Sequence, residues 1–163
     1  MKIKEIVLMF AVLALLITPA VNAQDTVSSP SVVVDQDSLM RAEDNSWILI
    51  IQQDLSVNED IVLDGEFKNG DAFDRKLALY TSNEDHSVNK RFTLKAPSIT
   101  VKSPYTRFKA GTFVGDVYVA AENFKLTTGF TVKGDVYFEN HAAKDTFKIE
   151  GGASITGNII NNF

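Results

Sequence analysis

Phe108-Lys-Ala-Gly-Thr-Phe-Val-Gly-Asp-Val-Tyr-Val119, Phe124-Lys-Leu-Thr-Thr-Gly-Phe-Thr-Val-Lys-Gly-Asp-Val-Tyr-Phe138 and Phe147-Lys-Ile-Glu-Gly-Gly-Ala-Ser-Ile-Thr-Gly-Asn-Ile-Ile160 are one motif written three times. Each opens on Phe-Lys, crosses a short Thr/Gly/Glu segment, and closes on Gly-Asp-Val-Tyr or its relative Gly157-Asn158-Ile159-Ile160. The closing glycines Gly115, Gly134 and Gly157 recur about every 20 residues, a period that in strand-rich sequence marks stacked repeats in place of one closed globular core.

Three strand series run through the repeat. The first is Phe92-Thr-Leu94, Phe108-Lys-Ala110, Phe124-Lys-Leu126 and Phe147-Lys-Ile149; the second is Ile99-Thr-Val101, Phe130-Thr-Val132 and Ala153-Ser-Ile155. The third is Val117 with Val119, Val136 with Phe138, and Ile159. Apolar residues at alternate positions, with no helical pattern between units, predict an all-β fold. Its expected form is a short, single-stranded, right-handed parallel β-helix, a solenoid with a small N-terminal cap. An antiparallel sandwich or jelly roll is the rival, and it should leave Asn-Gly or Asp-Gly at many junctions.

Upstream, Trp47-Ile48-Leu49-Ile50-Ile51 reads as a buried strand, and Asp64-Gly65 and Asn69-Gly70 read as turns. Thr81 to Asn89 is expected to be the longest loop of the body. A helix of about two turns is expected from Ser38, capped by Asp37. Residues 24–37 are polar and Pro-broken, and form a flexible leader with a short strand at Val32 to Val34. Before it, Lys2 and Lys4, the apolar run Ile6 to Ile17 and Val21-Asn22-Ala23 read as a signal peptide over residues 1–23. That run falls short of the ~20 residues of a spanning helix, although a retained anchor is the other reading. The β-helix with its cap then occupies residues 38–163.

The formal net charge of -5 argues against nucleic acid, and against any membrane contact beyond the signal peptide, because both need clustered Lys and Arg. With no cysteine there is no disulfide framework, so burial and strand hydrogen bonds must carry stability. An exported bacterial protein, secreted or held at the cell surface, fits both facts.

The Gly-Asp and Gly-Asn units with their Val-based strands resemble bactofilins, bacterial β-helical proteins that polymerise end to end. Asp60-Ile-Val-Leu-Asp-Gly-Glu-Phe67, Arg75-Lys-Leu-Ala-Leu-Tyr80, Arg91-Phe-Thr-Leu-Lys-Ala-Pro97 and Gly134-Asp-Val-Tyr-Phe138 are similar to exported and S-layer-associated β-helical proteins of clostridia-like bacteria, described as polymer-forming or pectate-lyase-like. The resemblance spans Trp47 to Ile160 and implies fold and compartment, with little chemistry. Bactofilins are typically cytoplasmic, and here an export signal stands in front.

Sorting the repeat by face leaves few residues for a partner. Asp116 and Asp135 are expected about 4.8 Å apart on successive rungs, as candidates for a Ca²⁺ site or as corner residues accepting backbone N–H bonds. Tyr118 and Tyr137 share their face as a platform for a sugar or a partner surface, or as an ordinary cross-strand pair. Lys109, Lys125 and Lys148 are expected as an outward ladder, with Arg107 near its start. A lyase would set an Arg or Lys beside an Asp cluster, whereas here the acids lie on a different strand. His86 and His141 read as loop histidines, and neither a serine nucleophile elbow nor a phosphate-cradling glycine loop is present. At the far end Ile159 and Phe163 border an open strand edge, which either templates another chain or is covered by Asn161, Asn162 and Phe163.

These readings converge on a non-enzymatic structural or interaction protein of the cell envelope, without cofactors or metal. Self-association through coil ends is one expected contact, and a cell-wall polysaccharide or envelope protein is another. The alternative is a carbohydrate-binding or polysaccharide lyase-like protein.

Overall fold

The computed structural model describes residues 30–163, so the expected signal peptide and residues 24–29 of the leader lie outside the described residues. The order begins β1 (Ser31–Val33), α1 (Gln36–Glu43), β2 (Ile48–Ile51), β3 (Leu55–Ser56) and β4 (Ile61–Leu63). A small hairpin of β5 (Lys68–Asn69) and β6 (Ala72–Phe73) precedes β7 (Arg75–Ala78). A second, of β8 (Tyr80–Ser82) and β9 (Val88–Arg91), leads to β10 (Thr93–Val101), β11 (Thr106–Lys109) and β12 (Thr112–Val119). There follow β13 (Lys125–Thr127), β14 (Thr131–Lys133), β15 (Val136–Phe138), α2 (His141–Thr146), β16 (Lys148–Ile149), β17 (Ser154–Ile155) and β18 (Ile159–Asn161).

The chain is all-β, and its two large sheets are parallel. A six-stranded sheet runs β1-β2-β7-β11-β13-β16. In the eight-stranded sheet, β3, the first half of β10, the first half of β12, β14 and β17 form one ladder. The second halves of β10 and β12 pair in the same way with β4, β15 and β18. Among the described residues, only the β5–β6 and β8–β9 hairpins are antiparallel.

Register stacks like residues. Leu49, Leu77, Phe108, Leu126 and Ile149 form one column; Leu55, Leu94, Phe113, Val132 and Ile155 form a second. Ile61, Ile99, Val117, Val136 and Ile159 form a third. The middle members are all buried in one continuous core, where each such side chain contributes roughly 1.5–3 kcal/mol.

Several sequence expectations shift. Ile99 belongs with Val117 and Val136, not with Phe130, because the long β10 turns a corner at a register shift between Lys95 and Ser98. The helix cap is Asp35, not Asp37: the Asp35 carboxylate accepts from the Ser38 amide at 2.8 Å while the Asp35 amide donates to Ser38 Oγ at 3.0 Å. That reciprocal box needs an acceptor three residues on, which Ser38 supplies for Asp35 and Met40 cannot supply for Asp37. β1 pairs with β2, so the leader's last residues already belong to the body. Thr81 to Asn89 is largely the β8–β9 hairpin, its turn tied by Ser87, whose amide and hydroxyl both donate to Asp85. A helix does interrupt the repeats: α2, capped by Asn140, which accepts from the Ala143 amide at 2.8 Å, lengthens the last step.

Candidate functional site

The Gly-Asp corners pack rung against rung. At Gly134 a Cβ would lie 1.9 Å from the Gly115 carbonyl oxygen, and at Gly115, with φ 145, it would lie 2.1 Å from that of Ala96. Only glycine allows that approach. Asp116 Oδ1 accepts from the Asp135 amide at 2.9 Å, and Asp135 Oδ1 accepts from the Asn158 amide at 2.6 Å and from Asn158 Nδ2 at 3.2 Å. One rung earlier the Ser98 hydroxyl donates to Asp60 Oδ1 at 2.8 Å. Asp116 and Asp135 each fasten the next rung's backbone, and this offsets the repulsion along the ladder. Among the described residues no three His, Cys, Asp or Glu are grouped to hold a metal ion.

Tyr118 and Tyr137 stack at 4.8 Å between centroids with planes 11° apart, in a column with Val62, Thr100 and Ile160. The Tyr137 hydroxyl donates to Asp135 Oδ2 at 3.4 Å. Burial, and then the charges of Asp135 and Asp116, push the Tyr137 phenol above its ordinary pKa. The two rings cover one another, so half of the expected platform is consumed by the pair itself.

The basic ladder keeps Lys125 and Lys148 as expected but takes Arg107 and Lys76 in place of Lys109. Its column is Lys76, Arg107, Lys125 and Lys148, and Lys109 lies one column over, between Ala78 and Thr127. Phe108 pairs with Leu126, so the Phe-Lys motifs slip by two residues between β11 and β13, while those of β13 and β16 stay in register. Lys109 Nζ instead sits 5.4 Å from the Tyr80 ring. Arg107 is clamped on Asp74, through Nε to Oδ1 at 2.8 Å and Nη2 to Oδ2 at 2.5 Å. Burial lowers the Lys76 pKa, and nearby Arg107 adds to the shift.

No family model, curated protein or solved structure matches the chain.

The last rung differs from the first. Ile149 and Ile159 end two core columns at 44% and 50% exposure, whereas toward the other end Leu49, covered by β1, and Ile61 are 0% and 1% exposed. The difference is β1, which pairs over β2, and α1, which lays Leu39 and Ala42 into the core against β1, β2 and β4. Phe163 packs on His141 at 3.9 Å and Lys144 Nζ donates to Asn161 Oδ1 at 2.9 Å, so the tail leans on α2 while Ile149 and Ile159 stay open. His141 thus begins a helix, and His86 sits in the β8–β9 turn with φ 64.

Two features escaped the sequence reading. Arg75 is fully buried, donating through Nη1 to the Asp64 carbonyl at 2.7 Å and to Ser103 Oγ at 3.2 Å, and through Nη2 to the Glu43 carbonyl. Its guanidinium lies 3.9 Å from the Phe67 ring centroid, and burial brings its pKa down to about 10. Alternation could have found it, since Leu77 points inward and Arg75 stands two residues before it. The second feature is the exposed pair Phe73 and Tyr105, whose rings stack at 6.1 Å with planes 13° apart. They lie 32 positions apart by number and join only through the fold.

Proposed function

We propose that the chain winds as a short right-handed parallel β-helix and serves, once exported, as a non-enzymatic structural or interaction module of the bacterial envelope, as the resemblance to exported, polymer-forming β-helical proteins implies. Supporting the winding, each rung visits the three ladders in one order: β7 then the two halves of β10, β11 then the two halves of β12, and β13, β14, β15. Supporting the structural role, the Asp116 and Asp135 carboxylates are engaged by backbone amides. A net charge of -5 favours a cell-wall polysaccharide or envelope protein over nucleic acid as a further partner.

The observation that carries the reading is the contrast between the ends of the core. Strand edges β16, β17 and β18 have a paired neighbour on one side only among the described residues, with Ile149 and Ile159 exposed beside them. An open edge with apolar column ends is a template for another strand. A head-to-tail filament would need the opposite end open too, and there Leu39 and Ala42 close it. The favoured association is therefore a closed pair, last rung against last rung, in which the same patch serves both copies. Sedimentation equilibrium of the purified protein should show a concentration-dependent monomer–dimer mixture. A strict monomer at millimolar concentration would reject the reading, and open-ended filaments would reject the closed pair.

A further inference from the structure

The β5–β6 hairpin adds nothing to the parallel ladders. It turns at Asn69-Gly70 and returns with Phe73, which it sets against Tyr105. Phe73 is 42% exposed and Tyr105 47%, and Lys68 Nζ stands 5.5 Å over the Phe73 ring, which leaves Tyr105 as the barer of the two. Two surface depressions meet at Phe73, Tyr105 and Asn123 and together form one open groove. Tyr105 holds φ 57 and Asn123 φ 61, left-handed backbone that a tyrosine seldom adopts. Such conformations persist where the surrounding structure enforces them, and ligand clamps are among the places where they collect.

In the groove the Asp74 carboxylate and the Arg107 guanidinium are planar and paired. Arg107 spends two of its five N–H groups on Asp74 and keeps the others. Its charges cancel: Asp74, Arg107 and Lys125 line one arm, Glu66, Lys102 and Glu122 the other, three acids against three bases. A polyanion would meet no positive field there, least of all on a chain of net charge -5.

We propose that this groove binds an uncharged glycan, with a sugar ring stacked on Tyr105 and Phe73 and its hydroxyls bonded by Asp74, Arg107 and Asn123. A pyranose has an apolar C–H face and a rim of vicinal hydroxyls. The aromatic pair takes the face out of water, and the carboxylate, guanidinium and amide match the rim in plane. The site lies on the side of the rungs, so it stands or falls independently of pairing through the last rung.

The test is affinity electrophoresis of the full chain in gels cast with hydroxyethylcellulose, xyloglucan, glucomannan or glycol chitin, with polygalacturonate as the charged comparison. At least one uncharged glycan should retard the protein, and added salt should leave the retardation in place. Tyr105→Ala and Phe73→Ala should each weaken it about threefold to tenfold, the loss expected when a stacking residue is removed, with unchanged circular dichroism and melting midpoint. Tyr118→Ala, on another face, should bind as wild type does. Retardation by no uncharged glycan, retardation by polygalacturonate alone, or undiminished binding by Tyr105→Ala would each overturn the proposal.

Discussion

Gly134→Ala tests the packing of one rung on the next. A methyl group there would sit 1.9 Å from the Gly115 oxygen and 2.6 Å from its carbonyl carbon, where side-chain carbons essentially never come within 3.0 Å. The rungs must part by about 1 Å, against a normal spacing of about 4.8 Å. That movement stretches the Asp135 amide bond to Asp116, 2.9 Å, and the Val117 amide bond to the Asp135 carbonyl, also 2.9 Å. Overpacking costs about 1–3 kcal/mol and each weakened bond about 0.5–1.5 kcal/mol, which gives about 3 kcal/mol in all. Gly152→Ala is the control: its Cβ would meet nothing within 4 Å, so only the φ of 75 is penalised, at about 1 kcal/mol. With a urea slope of about 1.5 kcal/mol/M, Gly134→Ala should lower the unfolding midpoint by about 2 M and Gly152→Ala by less than 1 M. Far-ultraviolet circular dichroism and Trp47 fluorescence should report the same transitions. Equal losses in the two variants would mean that Gly134 does not lie against Gly115, and the register of that ladder would fail with it.

Two further outcomes follow from the buried polar groups near α1. Arg75→Ala strips charged hydrogen bonds from the Asp64 and Glu43 carbonyls and from Ser103, and should cost about 3 kcal/mol in urea unfolding. Glu43, whose pKa burial raises from 4.5, binds its proton at higher pH when folded than when unfolded. Its ionisation therefore weighs against folding at neutral pH, and that burden lifts as pH falls through the raised value toward 4.5. Glu43→Gln, which can still accept from the Val62 amide, should melt higher than wild type at pH 7, with the gain fading toward pH 4. A gain that grows on acidification would reverse the assignment.

Much of the fold was legible because inward residues repeat chemically: Val117, Val136 and Ile159 do form one column. The Phe-Lys strands were misaligned for a physical reason. A slip of two residues preserves alternation, so Phe108 and Phe124 still point inward and only their lateral neighbours change. The corner after Lys109 is made by Ala110 and Gly111, with φ 50 and 97, and the next by Thr128 and Gly129, with φ 54 and 67. Corners of different length after a shared motif disguise the true partners, which is how Lys109 came to stand in the place of Arg107. The Asp ladder was visible as a pattern, whereas the backbone amides that Asp116 and Asp135 accept from depend on rung spacing that composition does not carry. The Phe73 and Tyr105 pair left no trace, since a hairpin excursion and a left-handed tyrosine bring it together.

The contrast between the two ends of the core is tested most directly by moving one charge from end to end. Ile159, 50% exposed on the last rung, and Val34, 54% exposed beside the first, are matched in exposure. In sedimentation velocity, Ile159→Lys should run as a monomer at concentrations where the wild type pairs, and Val34→Lys should pair as the wild type does. Undiminished pairing by Ile159→Lys, or its loss in Val34→Lys alone, would contradict association through the last rung.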